Sequence, residues 1–284
     1  MNNLEINDRN FPHNLKKITP KVARLYYKGN IHKDLFKKSV AVVGSRRMTQ
    51  YGQRIIESLL PPLINAGVTI ISGFMYGVDQ QAHTITLENG GKTVAVLGWG
   101  IDWQVEASDQ KLYSEIEKKG LIISEYPDKI SPRLWMFPRR NRIMAGLSQA
   151  VLVIEAAPNS GSLITADFAK KYAKKLFAVP GPVTSAVSQG TNMLIKLGIA
   201  KMATSADDIL NEMKWTNDFK QPCSKSADKS DILLQLLANE PLTVDEIALS
   251  TNQSIANVSV KLSLLQLNGQ VEEKDGKYYC KIKI

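Results

Sequence analysis

Between residues 39 and 212, continuous apolar runs alternate with apolar positions at helical spacing. Val40-Ala41-Val42-Val43 is unbroken and ends at Gly44, the pattern of a strand buried on both faces. From Tyr51 to Ala66, Ile55, Ile56, Leu59 and Leu60 recur with helix periodicity, and Pro61-Pro62 predicts a break or kink there. Strands are expected at 68–73, 92–98, 121–124, 150–155 and 176–179. Helices are expected at 78–88, 112–119, 139–147, 163–172 and 192–196. Strand–helix alternation of this kind predicts an α/β fold, a doubly wound sheet whose ligands sit beyond the carboxyl ends of the strands.

Residues 1–38 show no such rhythm and read as an N-terminal lead-in with a short helix. The sheet domain is placed at 39–212, and the Asn-, Lys-, Gln- and Ser-rich stretch 213–227 reads as a linker. Residues 228–284 form a second pattern. Ile232, Leu233, Leu236 and Leu237 suit one helix. Thr243 and Glu246 suit a capping box opening a second, and Val258, Leu262, Leu264 and Leu265 suit a third. A hairpin turning at Asp275-Gly276 follows. Three short helices and a hairpin predict a winged-helix layout.

Composition narrows the class. The 284 residues are 44% hydrophobic and 22% charged, ordinary for a globular chain with a substantial core. No apolar run is long enough to span a membrane, and Met1-Asn2-Asn3-Leu4-Glu5 lacks a signal-peptide layout, so a cytoplasmic protein is expected. Two distant cysteines, Cys223 and Cys280, and three scattered histidines predict neither a metal site nor a cofactor. The formal net charge is +9. Residues 228–284 carry −2 of it, so a polyanion would meet the first part of the chain at +11. The expected third helix of the second module offers only Lys261, which argues for a protein-contact or structural role there.

Each predicted strand runs into a polar or glycine-rich loop at its ligand end. Gly44-Ser45-Arg46-Arg47, Ser72-Gly73 and the stretch from Glu155 to Gly161-Ser162 are three of them, suited to anion-binding nests. Phe137-Pro138-Arg139-Arg140-Asn141-Arg142 adds three guanidinium groups where a helix should begin. Cations are unfavourable at that end of the macrodipole, and a bound phosphate would offset the repulsion. Among the rim aromatics Trp99, Trp103, Tyr126, Trp135 and Phe137, Phe137 is the expected stacking surface for a base.

Enzymatic signatures are weaker. Gly91-Lys92-Thr93 lacks the earlier glycine of a phosphate-binding P-loop, since Thr86 occupies that place. Gly44 does not open a dinucleotide fingerprint. Asp79 and His83, at i and i+4, can form an acid–base pair or simply hold a helix to the sheet. Glu155 is the best lone catalytic carboxylate, or else a partner for an arginine.

Several motifs in order make the chain resemble the DprA/Smf family of bacterial DNA-processing proteins. They are Val42-Val43-Gly44-Ser45-Arg46, Ser72-Gly73 with Gly77-Val78-Asp79 and Ala82-His83, and Ala95-Val96-Leu97-Gly98. The run continues with Phe137 to Arg142, Ser160-Gly161-Ser162-Leu163-Ile164-Thr165-Ala166, and Phe177-Ala178-Val179-Pro180-Gly181. The resemblance implies an extended Rossmann-like sheet with a small C-terminal winged-helix domain. It implies a non-enzymatic recombination mediator, a homodimer that protects single-stranded DNA and helps load RecA during natural transformation. Carried over by motif, the DNA-binding set is Gly44, Ser45, Arg46, Arg47, Ser72, Gly73, Arg133, Phe137, Arg139, Arg140, Asn141, Arg142, Gly161 and Ser162. The chain leaves the family pattern at Met75 and Tyr76, where a small and a basic residue are usual. It does so again at Val105-Glu106, where Tyr-Pro is usual, and at Gln189 and Met193, where basic residues are usual. The alternative is a nucleotide phosphoribohydrolase of the related "lonely guy" fold. Residues 158–166 lack that class's glycine pair and glutamate.

Overall fold

The computed structural model describes residues 2–215, 230–251, 253–267 and 269–280. It divides into two units, Met1–Asn217 and Asp218–Ile284. In the first, chain order runs β1 (Asn2–Glu5), β2 (Arg24–Gly29), β3 (Ser39–Val43), α1 (Gln50–Asn65), β4 (Thr69–Ser72), α2 (Val78–Glu88), β5 (Thr93–Gly100) and α3 (Gln110–Lys119). It continues with β6 (Leu121–Tyr126), α4 (Met136–Leu147), β7 (Ala150–Val153), α5 (Gly161–Lys171), β8 (Lys175–Ala178), α6 (Gln189–Lys196), β9 (Lys201–Met202) and α7 (Ala206–Glu212).

The strands make one nine-stranded sheet in the order β1-β2-β6-β5-β4-β3-β7-β8-β9. The strands from β6 to β9 in that order are parallel, while β2 pairs antiparallel with β6 and β1 antiparallel with β2. From β3 the chain winds outward through β4, β5 and β6, then crosses back and winds the other way through β7, β8 and β9. The reversal lies between β3 and β7, and a crevice opens there beyond their carboxyl ends.

Both faces are covered, which is why the strands read as unbroken apolar runs. Ala41, Val43, Val151 and Val153 pack under α4 and α5 through Ile143, Leu147, Ala166 and Ala169. Val40, Val42 and Leu152 pack against Ile56, Leu60 and Leu63 of α1 and Val78 and Ala82 of α2. Each Val, Leu or Ile side chain among them, fully buried, contributes roughly 1.5–3 kcal/mol of transfer free energy.

Three expectations change. The lead-in is not merely peripheral: residues 2–5 and 24–29 extend the sheet, and Leu15 and Ile18 enter its core. The alternation there is too short to signal strands, and β2 forms because β6 offers it an open edge. Helix α1 runs through Pro61 and Pro62. The carbonyls that lose their donors belong to Glu57 and Ser58, which are exposed and can be met by water. Helix α7 was not foreseen; Ser205 and Asp208 close a capping box at its start.

The second unit holds α8 (Ser230–Asn239), α9 (Val244–Thr251), α10 (Ile255–Leu267) and the hairpin β10 (Val271–Lys274) and β11 (Lys277–Cys280). Leu233, Leu237, Ile247, Val258, Leu262 and Leu265 form its core. The Thr243 amide donates to Glu246 at 2.8 Å and the Glu246 amide to the Thr243 hydroxyl at 3.3 Å, the expected capping box. Asp275 and Gly276 both have positive φ, as the hairpin turn requires. Leu264, expected inside, is exposed. The Ile232 side chain, Cys223 and residues 216–227 of the expected linker lie outside the described residues. Among the described residues no helix is long and apolar enough to cross a membrane.

Candidate nucleic-acid interface

The arginine-rich stretch lies in α4, but not in its first turn. The helix opens at Met136 with Phe137 and Pro138, so Arg139, Arg140 and Arg142 occupy the turns that follow. Their helical positions part them. Arg139 and Arg142, at i and i+3, share one face and converge on Glu125 near the end of β6. Arg139 meets it at 3.2 and 3.3 Å, with its guanidinium 5.9 Å from the Trp135 ring centre. Arg142 is 1% exposed, and its contact is with the same carboxylate. Arg142 is buried in this pairing, whereas Arg139 meets the same carboxylate from the surface, half exposed.

Arg140 points the other way. It is 3% exposed and donates from Nη1 to the carbonyls of Gly73 and Val96. Gly73 is glycine for this reason, because a Cβ there would sit 2.1 Å from Arg140 Nη1. Burial pushes the Arg140 pKa down to about 10; Asp79 opposes the shift and the Arg46 charge adds to it. Burial likewise raises Asp79, against the pull of Arg140 and the Met75 amide at 3.3 Å. Arg140 Nε has no hydrogen-bond partner among the described residues.

Around Arg140 the crevice at the strand reversal forms a cleft of about 670 Å³. The loop after β3 supplies Gly44, Ser45, Arg46 and Arg47; α4 supplies Phe137, Arg140 and Asn141; the start of α5 supplies Gly161 and Ser162. Nine of the fourteen expected DNA-binding residues therefore meet here. Arg46 and Arg47 are exposed, and among the described residues neither forms an ion pair. Arg46 lies 5.2 Å from the centre of the Phe137 ring. Asn141 donates to the Gly161 carbonyl at 3.0 Å and so ties α4 to the start of α5. Thr165 also lines the cleft, with a buried hydroxyl that has no partner among the described residues.

The remaining five expected residues lie apart. Ser72 is buried and donates to the Val42 carbonyl at 2.7 Å, and Gly73 makes room for Arg140. Arg133 is exposed ahead of α4 and its carbonyl accepts from the Met136 amide. Arg139 and Arg142 pair with Glu125, as above. A Cβ on Gly44 would strike Val78 at 2.6 Å, so the glycine also lets α2 pack against this loop. The Ser162 amide already donates to Ser160 Oγ at 3.3 Å.

The carboxylates considered as catalytic are engaged elsewhere. Glu155 is 1% exposed and accepts from the amide and hydroxyl of Thr49 at the start of α1, not from an arginine. His83 does not pair with Asp79. Its Nδ1 lies 2.6 Å from Thr93 Oγ1, and burial with the Arg140 charge lowers its pKa to about 3. Among the described residues no three metal-ligating side chains gather. Sequence reasoning missed Glu125, although the i, i+3 spacing of Arg139 and Arg142 signals one shared acceptor.

Comparison with known proteins follows the same lines. Residues 2–214 match the family model described as DNA recombination-mediator protein A, and residues 218–277 the DprA winged helix domain. Protein Smf of Escherichia coli K12 is 36% identical over 279 residues, covering 94% of this chain and 74% of that protein. DNA processing protein DprA of Streptococcus pneumoniae R6 is 40% identical over 206 residues, 72% of each. The X-ray structure of Streptococcus pneumoniae DprA superposes with a TM-score of 0.70 at 39% identity, covering 74% of each chain. A Helicobacter pylori DprA structure, described for its single-stranded DNA binding mode, superposes with a TM-score of 0.67 at 30% identity. It covers 75% of this chain and 95% of that one.

Proposed function

The chain belongs to the DNA recombination-mediator protein A family, and from that premise we propose that it binds single-stranded DNA in the cleft between the β3 and β7 loops. In this reading it acts as a recombination mediator without a catalytic step. It protects incoming DNA and helps load the RecA recombinase during natural transformation. The observation that carries the reading is the cleft itself. Arg46 and Arg47, without an ion pair among the described residues, line it, Arg140 lies in its wall, and the Phe137 ring is within reach of a base. Arg46 and Arg140 repel one another, and a phosphate between them would relieve that repulsion. The Helicobacter pylori relative's described DNA binding mode supports the same ligand class.

A homodimer fits the first unit's β9 edge. Met193 and Leu197 of α6, with Ile199 and Met202 beside them, are 36–60% exposed. A two-fold contact would cover such an apolar patch.

The test is equilibrium binding to oligo-dT across a salt series. Affinity should fall with salt at a slope of roughly −0.7 per phosphate neutralised on a single strand. Replacing both Arg46 and Arg47 by alanine should weaken binding by about a hundredfold and reduce the slope by about 1.4. Unchanged affinity in this double variant removes the cleft from the DNA path. Arg140→Ala is a poorer probe, because it leaves Asp79 buried without its counter-charge.

A further inference from the structure

Beside the cleft lies a second, smaller cavity of about 180 Å³, and the Phe137 ring is a wall common to both. Its other walls are Phe74, Trp99 and Trp103, with Trp99 set edge-on to Phe137 at 6.2 Å. The mouth is acidic: Glu106 and Asp109 line it, next to Gln104. The Glu106 carboxylate lies close enough to the Tyr76 hydroxyl to raise its pKa, and both residues line the cavity. Met75, Tyr76, Val105 and Glu106, four places where the sequence leaves the family pattern, all line this one cavity.

The chemistry of the two cavities is opposed. A phosphodiester avoids carboxylates, so the acidic mouth is no continuation of the phosphate path. A single strand has a second side, its bases. Aromatic walls stack any base, worth roughly 1–3 kcal/mol each, and do not discriminate. A carboxylate at the rim does discriminate, because it accepts from an exocyclic amino group and repels a carbonyl in the same place. A cavity of about 180 Å³ with aromatic walls has room for one planar heterocycle.

We infer that this cavity is a base-reading pocket that takes one unstacked base bearing an exocyclic amino group, such as cytosine, and disfavours thymine. The inference rests on the single-stranded DNA reading above: phosphates lie along Arg46 and Arg47, and one base turns across Phe137 into the aromatic pocket under Glu106.

The experiment compares oligo-dC and oligo-dT of equal length and at equal salt, for the wild-type chain and Glu106→Gln. Glu106 is exposed, so the variant keeps the fold. Wild type should favour oligo-dC by about five- to tenfold, the lower part of the range for one good base contact. Glu106→Gln should bring the two affinities within about twofold while the salt slope stays the same. Equal wild-type affinities for oligo-dC and oligo-dT overturn the pocket and leave DNA binding standing. A preference that persists in Glu106→Gln also overturns it, since another group would then read the base. Absence of binding to either oligomer overturns the DNA reading itself, and the pocket with it.

Discussion

The loop after β3 and the opening of α4 carry two and three arginines, and they dispose of that charge in different ways. Arg46 and Arg47 are exposed and form no ion pair among the described residues, and the Phe137 ring centre lies 5.2 Å from Arg46. Arg140 and Arg142 are 3% and 1% exposed; Arg140 is held by two carbonyls and Arg142 by the Glu125 carboxylate inside the unit. A guanidinium already desolvated and paired has little to offer a ligand, whereas a solvated one without a partner exchanges water for phosphate at small cost. The same residue type thus serves the fold in one stretch and the ligand in the other. Arg140 stands between the two cases, buried like Arg142 yet set in the cleft wall.

The largest expected effect lies on the structural side. Arg142→Ala leaves the Glu125 side chain, 11% exposed, with the half-exposed Arg139 as its one remaining ion-pair partner among the described residues. Loss of a buried pair's cation costs about 3–5 kcal/mol, readable in a urea melt. A loss under about 1 kcal/mol, the size of a surface pair, would put Arg142 with the ligand-facing arginines and break the comparison. Arg140→Lys keeps the charge but loses the planar guanidinium whose Nη1 donates to both carbonyls. Stability should fall by about 1–3 kcal/mol, and oligo-dT affinity should fall with it because the cleft wall shifts.

The pH dependence adds a test of Arg140's surroundings. His83, depressed to about 3 by burial and the Arg140 charge, takes up a proton near 6.5 only when unfolded. Its contribution is present above pH 6.5 and is lost as pH falls from 6.5 toward 3. Between pH 6.5 and 5 the loss should be about 1.6 kcal/mol, since the slope is half of 1.36 kcal/mol per pH unit at pH 6.5 and approaches it below. Urea melts of wild type and His83→Gln at both pH values should show the variant with the flatter dependence. Equal dependences would mean that His83 is not held neutral. The smallest effect is expected at Arg139, half exposed in its pair with Glu125. Arg139→Ala should change stability by less than about 1 kcal/mol and leave oligo-dT binding within twofold. A large loss of binding there would move the DNA path across the Glu125 side of α4.

Much of the fold is legible in the chain. Val40 to Val43, Val78 to Glu88 and the Thr243–Glu246 box announce their elements because strand runs, helix periods and caps are local properties. Strands β1 and β2 were illegible, since Leu25 and its neighbours become a strand only against the edge of β6. The site was legible in part. Glycine loops at strand ends and Arg46 with Arg47 mark the rim, because an α/β chain must turn where its strands end. The opening of α4 was misread as one basic turn. Residue spacing alone separates Arg139 and Arg142 from Arg140, but which face meets a carboxylate depends on β6 ending beside α4.

By itself, the sequence determined the order and kind of most elements, the basic first part and the net-acidic second one, since these follow from composition and short-range periodicity. Tertiary structure alone decided which arginines are free. It brought Glu125 to Arg139 and Arg142, threaded Arg140 past Gly73, and placed an acidic, aromatic pocket next to the basic cleft. Those outcomes depend on how helices are rotated over a sheet whose strand order reverses between β3 and β7, and long-range packing, not local spacing, sets that rotation.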